Sequence, residues 1–91
     1  MEVYAVIWSS ACYEVHDDTL CLQEGIEGIC KSESSAKAML EECKQAFLNE
    51  ATEASIHIYG SANAGYFILN YEQDESPVEV HIQITHTHVQ S

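Results

Sequence analysis

The most regular pattern of apolar and polar residues in this chain is a helical one. Apolar residues recur three or four positions apart at Ala36, Leu40, Cys43, Ala46 and Phe47. This spacing is typical of an amphipathic helix with one buried face, and it predicts a helix over residues 33–51. Ser32 is suited to the N-cap, because its hydroxyl can accept a free backbone N–H of the first turn.

Apolar runs on both sides of this helix predict strands. Residues 78–89 show the clearest alternation, and residues 2–8 are apolar on both sides, as in a strand covered on both faces. Further strands are predicted at 19–22 and 26–30 (two fragments or one bulged strand), at 55–59 and at 66–71. The polar residues 9–19 and 72–77 are predicted to be loops, the second of them unable to pack, and residues 60–65 to be a turn.

These elements predict a single domain over residues 1–91, with an α+β fold. The expected architecture is an antiparallel sheet of four to five strands with one amphipathic helix on one face, ending in a three-strand meander. One helix covers only one side of a sheet, so the other side is expected either to be an interaction surface or to lie under long loops. The aromatic residues assigned to that uncovered side are Tyr4, Trp8, Tyr59, Phe67 and Tyr71.

The charge is strongly negative and unevenly placed. Fifteen acidic residues face three lysines and no arginine, which gives a formal charge of −12. All three lysines lie within residues 31–44, where three glutamates balance them, so the excess charge lies outside this stretch, which is the core of the helix. Such a chain is expected to repel nucleic acid and anionic membranes and to associate with basic surfaces.

The excess acids form two groups, one before the helix and one late in the chain. They are Glu14, Asp17, Asp18, Glu24 and Glu27, and then Glu72, Asp74, Glu75 and Glu79. One interpretation is an acidic surface that imitates the dense negative charge of duplex DNA, about one charge per ~1.7 Å of axis. The other is that the charge only maintains solubility.

The sequence carries no recognisable catalytic motif, and neither a catalytic residue, a cofactor nor a metal ligand is predicted. His86 and His88 lie two apart, on one face of a strand, while His81 points to the opposite face. No second spaced pair completes a zinc site, and the four cysteines match no zinc spacing. No run of about 18 apolar residues and no basic leader is present, so a cytoplasmic protein with reduced cysteines is expected.

In its size, acidity, lack of arginine and one-helix α+β plan, the chain resembles the small acidic inhibitors that phages and mobile elements carry against bacterial defence, the anti-CRISPR and anti-restriction proteins. The resemblance implies a non-enzymatic protein that blocks a basic nucleic-acid-binding surface of a nuclease complex by DNA mimicry, in the host cytoplasm if it is phage-encoded. The alternatives are a homodimeric structural or adaptor module that pairs through an aromatic sheet face, and a histidine-based metal-binding protein. The residues expected to contact the partner are Asp17, Asp18, Glu24, Glu27, Glu72, Asp74, Glu75, Tyr13 and Tyr71.

Overall fold

In the computed structural model, which describes residues 1–51 and 55–89, the strands form one antiparallel sheet with a helix against one side. The predicted α+β fold class and the number of strands are therefore confirmed. In chain order the elements are β1 (Glu2–Glu14), β2 (Thr19–Cys30), α1 (Glu33–Glu50), β3 (His57–Ser61), β4 (Tyr66–Gln73) and β5 (Ser76–His88).

The strand order across the sheet is β2-β1-β5-β4-β3. The first and last long strands, β1 and β5, therefore pair in the middle of the sheet, with Trp8 opposite Ile82. The predicted meander of β3, β4 and β5 is confirmed. The two β-like pieces before the helix are one strand, β2, and a register shift opposite Val6 and Ile7 marks its bulge.

Helix α1 begins as the sequence predicts and ends one residue earlier. The Ser32 hydroxyl accepts the backbone N–H of Ser35 at 3.2 Å. Ala36, Leu40 and Cys43 are buried against the sheet. The core lies between this helix face and one side of the sheet, and its largest fully buried side chains are Leu40, Leu69, Ile82, Val6, Val80 and Cys43.

Both predicted loops are longer than the turns that the structure has there, which are residues 15–18 and 74–75. The first strand continues through residues 9–14, because β1 bonds to β2 on one side and to β5 on the other, and this pairing outweighs the polar composition. Residues 72–77 form the end of β4, a turn at Asp74 and Glu75, and the start of β5. Ser76, at 4% exposure, is packed inside.

The prediction that five aromatic residues lie on the side away from the helix is wrong for four of them. Tyr4, Trp8 and Tyr71 pack against the core and Phe67 is buried, so of the five only Tyr59 lies outside the core and is exposed. Large rings fill the space beneath a single helix: Trp8 packs edge-on against Phe47 with ring centroids 5.5 Å apart.

The side of the sheet away from the helix, called here the open face, carries aliphatic residues instead. Side chains alternate along β1, which places its odd-numbered residues on this face. The residues of β2 that pair with them lie on the same face. β1 is therefore covered on one face only, which corrects the prediction that both faces are covered. The exposed residues that β2 contributes are Leu20, Leu22, Ile26 and Ile29.

Candidate functional site: the acidic end of the sheet

Two acidic turns lie side by side at one end of the sheet. The β1–β2 turn and the β4–β5 turn meet because β1 and β5 are neighbours, with Cys12 opposite Val78. The backbone N–H of Val15 donates a hydrogen bond to the Ser76 hydroxyl oxygen, with the two heavy atoms 3.5 Å apart. His16 Nε2 lies 3.8 Å from a Glu75 carboxylate oxygen. The acidic end is defined here by six carboxylates: Glu14, Asp17, Asp18, Glu72, Asp74 and Glu75.

The backbone at this end is held in a conformation that glycine and asparagine adopt most readily. Asp18, Asp74 and Glu75 have φ of 51°, 52° and 69°, and they are the only non-glycine residues with positive φ among residues 1–51 and 55–89. A two-residue hairpin turn with positive φ at both positions favours Asn-Gly or Asp-Gly, so Asp74 suits the first position. At the second position, where Glu75 stands in place of glycine, an ordinary side chain costs roughly 1–2 kcal/mol. Of the three, only Glu75 therefore occupies a position for which local backbone preference does not select it.

Side-chain hydrogen bonds fix the shape of the β1–β2 turn. The Tyr13 hydroxyl donates to the Asp18 carboxylate, and this hydrogen bond, followed by desolvation, raises the pKa of Tyr13. The Thr19 hydroxyl donates to the Asp17 carbonyl oxygen at 3.0 Å. Tyr13 remains exposed, as predicted for an aromatic contact residue.

The carboxylates of the acidic end face a single imidazole, that of His16, and no lysine lies in either turn. Two of the three lysines are held on the helix, where Lys37 pairs with Glu33 at 3.2 Å and Lys44 with Glu41 at 2.7 Å. The carboxylates at this end therefore outnumber the basic groups that face them, as the charge distribution along the sequence indicates.

The other predicted contact residues lie elsewhere. Glu24 is in the middle of β2, opposite Ser9, on the open face. Glu27 is on the helix side, where its carboxylate is 3.9 Å from the Cys43 sulfur. Tyr71 is half-buried against the core, which corrects its prediction as an exposed anchor.

A cleft on the helix side adjoins the acidic end. It has a volume of about 690 Å³, and Trp8, Phe47 and Tyr71 are among its lining residues. Burial raises the pKa of Tyr71, with smaller contributions from Cys12 and Glu50. The carboxylates that line this cleft are Glu14, Glu27, Glu50 and Asp74.

Burial also raises the pKa of Cys43, which lines this cleft, to about 11, with a smaller contribution from the Glu27 charge. Glu14 and Glu50 were not predicted as contact residues. Their positions follow from the pairing of β1 with β5 and from where the helix ends, which acidity along the sequence does not reveal.

The opposite end of the sheet, called here the terminal end, is neutralised locally. His86 and His88 lie on one face, as predicted, and both contact the Glu2 carboxylate, His88 at 2.8 Å. The hydrogen bonds from His88 and then His86 lower the pKa of Glu2. Among the described residues, no group of three or more His, Cys, Asp or Glu is arranged to hold a metal ion.

Comparisons with protein-family models, with curated proteins and with solved structures found no match to this chain. Within residues 1–51 and 55–89, no helix has the length and apolar character needed to cross a membrane. All four cysteines are free thiols, with Cys30 and Cys43 buried. The acidic end is thus identified from charge and geometry alone.

Proposed function

We propose that this chain is a non-enzymatic binding inhibitor, whose acidic end docks on a basic nucleic-acid-binding surface of a bacterial defence nuclease complex. The observation that carries this proposal is the meeting of two acidic turns, one of which keeps a glutamate at a strained backbone position. Glu75 holds a carboxylate at a left-handed position where glycine would be more stable, and it lies beside the carboxylates of Asp74 and the β1–β2 turn. Non-glycine residues persist in such positions most often where function requires their side chains.

Electrostatics explain why such an end would compete with nucleic acid. A groove that binds DNA presents lysines and arginines to phosphates, and it would attract a cluster of carboxylates for the same reason. Uncompensated charge also speeds association with an oppositely charged surface, and this effect weakens as salt is added. The protein would act in the cytoplasm, which is the host's cytoplasm if a phage encodes it.

The proposal is tested by capture from a bacterial lysate on the immobilised protein at about 50 mM NaCl, with elution at about 500 mM. We expect the eluate to contain a nucleic-acid-binding protein whose binding is competed by duplex DNA. The Asp74→Lys/Glu75→Lys variant should bind that protein about a hundredfold more weakly, because two attractive charges become repulsive.

The matched control is Glu33→Lys/Glu42→Lys, which makes the same change in net charge on the helix, away from the acidic end. This control should keep most of the affinity. Binding that neither salt nor duplex DNA weakens would exclude DNA mimicry. Equal losses in the two variants would show that net charge matters and its location does not.

A further inference from the structure

The open face carries an aliphatic surface that the acidic end does not use. Leu20, Leu22, Ile26 and Ile29 project from β2 and are between 59% and 70% exposed. They lie on the same face as Ile7 of β1, which faces Ile26 across the ladder. Contiguous apolar surface of this kind is rare on proteins that remain monomeric.

Beside these residues the open face forms a trough. Its volume is about 1030 Å³, and β1, β2 and β5 line it. Leu22 and Ile26 stand on its β2 side, while Gln83 and His81 lie on its β5 side. The same surface therefore offers both projecting side chains and a space to receive them, which is what a two-fold interface between identical chains requires.

The area of the open face is large enough for a stable pair. With strands about 4.8 Å apart and about 3.3 Å of rise per residue, the five strands present a face of roughly 800 Å². A standard specific interface buries about 800 Å² on each partner. A second copy of this chain would thus bury the face completely.

We infer that the chain forms a homodimer in which two open faces pack against each other with their strands antiparallel. This arrangement lays β2 of one copy over β2 of the other, so that Leu22 and Ile26 of one copy pack against the same two residues of its partner. It also places the two acidic ends at opposite poles. The body is 49 Å long, and charges that far apart are fully screened at physiological salt, where the Debye length is about 8 Å.

Two carboxylates that line the trough, Glu24 of β2 and Glu79 of β5, oppose this packing. Glu24 lies near the middle of β2 on the open face and lines the trough, so two copies of it approach each other at the interface. Like charges brought together out of water disfavour association, and salt reduces their repulsion. Added salt should therefore tighten the dimer, whereas it should weaken the binding of a basic partner at the acidic end.

The inference is tested by sedimentation equilibrium of the purified protein over micromolar concentrations at low and high NaCl. We expect a dimer for the natural sequence, and a dissociation constant at least about a hundredfold higher for Leu22→Glu/Ile26→Glu, because two carboxylates would enter an apolar interface. The control Ala38→Glu/Glu42→Gln changes exposed helix positions instead and should remain dimeric.

A variant that strengthens association guards against misfolding as the cause of any loss. Glu24→Gln keeps the size of the side chain and removes the charge, so it should dimerise at least about threefold more tightly. A natural chain that sediments as a monomer at all these concentrations would overturn the inference. So would a dimer that persists in Leu22→Glu/Ile26→Glu, or a Glu24→Gln chain that associates no more tightly.

Discussion

The acidic end and the terminal end lie at opposite ends of the same paired strands, β1 and β5. They differ in how many basic groups contact their carboxylates. At the terminal end, one carboxylate, that of Glu2, contacts two imidazoles, and the His86 ring stacks on Tyr4 with ring centroids 4.5 Å apart. At the acidic end there are six carboxylates and one imidazole, that of His16, which lies near Glu75. The difference follows from strand pairing, which brings two acidic turns together around one imidazole at one end and two imidazoles to one carboxylate at the other.

The acidic end and the terminal end share one core. The largest expected effect is therefore a loss of folding stability at both ends at once. Leu40→Ala should lower the free energy of unfolding by about 2–5 kcal/mol, because Leu40 is fully buried between helix and sheet. Urea unfolding measures the free energy of unfolding of the whole chain, and amide hydrogen exchange measures it separately at each end. Val15→Ala, an exposed truncation in the β1–β2 turn, should change it by less than about 0.5 kcal/mol. Separate unfolding of the two ends would show that they are independent units.

Substitutions in the hairpin turns should change the free energy of unfolding by a smaller amount, and in opposite directions at the two ends. Glu75→Gly should raise the free energy of unfolding by about 1 kcal/mol, because it relieves a left-handed φ. Gly65→Ala, in the β3–β4 turn, should lower it by about 1 kcal/mol, since Gly65 has φ of 84° and a methyl group there would meet no neighbour.

The control for the first substitution is Glu75→Gln, which removes the charge but keeps the backbone penalty. Thermal unfolding at matched pH compares the three variants with the natural sequence. If Glu75→Gln stabilises the protein as much as Glu75→Gly does, the gain in stability comes from removing charge repulsion, and relief of the backbone conformation contributes nothing to it.

The smallest effect is a pH dependence at the terminal end. The pKa of Glu2 is lowered from its usual 4.5, so its ionised form stabilises the folded state. This contribution is present above pH 4.5 and is lost as the pH falls through the lowered value. NMR titration of the Glu2 carboxyl group should give a midpoint below 4.5, which returns towards 4.5 in His86→Ala/His88→Ala. A midpoint that does not move in that variant would rule out the imidazoles as the cause.

The sequence predicted the elements whose pattern local forces determine. The helix, its Ser32 cap and the alternating strand β5 follow from periodicity and capping, and all three are confirmed. The polar second half of β1 was missed because its strand character comes from two neighbours that are distant in sequence. Sequence patterns carry no information about such long-range partners.

Side-chain orientation was harder to predict for the same reason. Trp8 lies on the core side with Val6, and Gly25 of the neighbouring strand leaves room for its ring, since an added Cβ there would lie 2.8 Å from the ring. The acidic end was predicted only as two separate clusters. Their meeting depends on the pairing of β1 with β5, and the positive φ of Asp74 and Glu75 gives no signal in the sequence.

The central claim is that an uncompensated negative field exists at the acidic end and at no comparable strength at the terminal end. It is tested without any partner by NMR relaxation of backbone amides in the presence of two nitroxides of equal size, one cationic and one neutral. At low salt, the cationic probe should enhance relaxation at Asp17 and Glu75, relative to the neutral probe, at least about twofold more than at Glu2 and His88. An equal ratio at both ends would contradict the account.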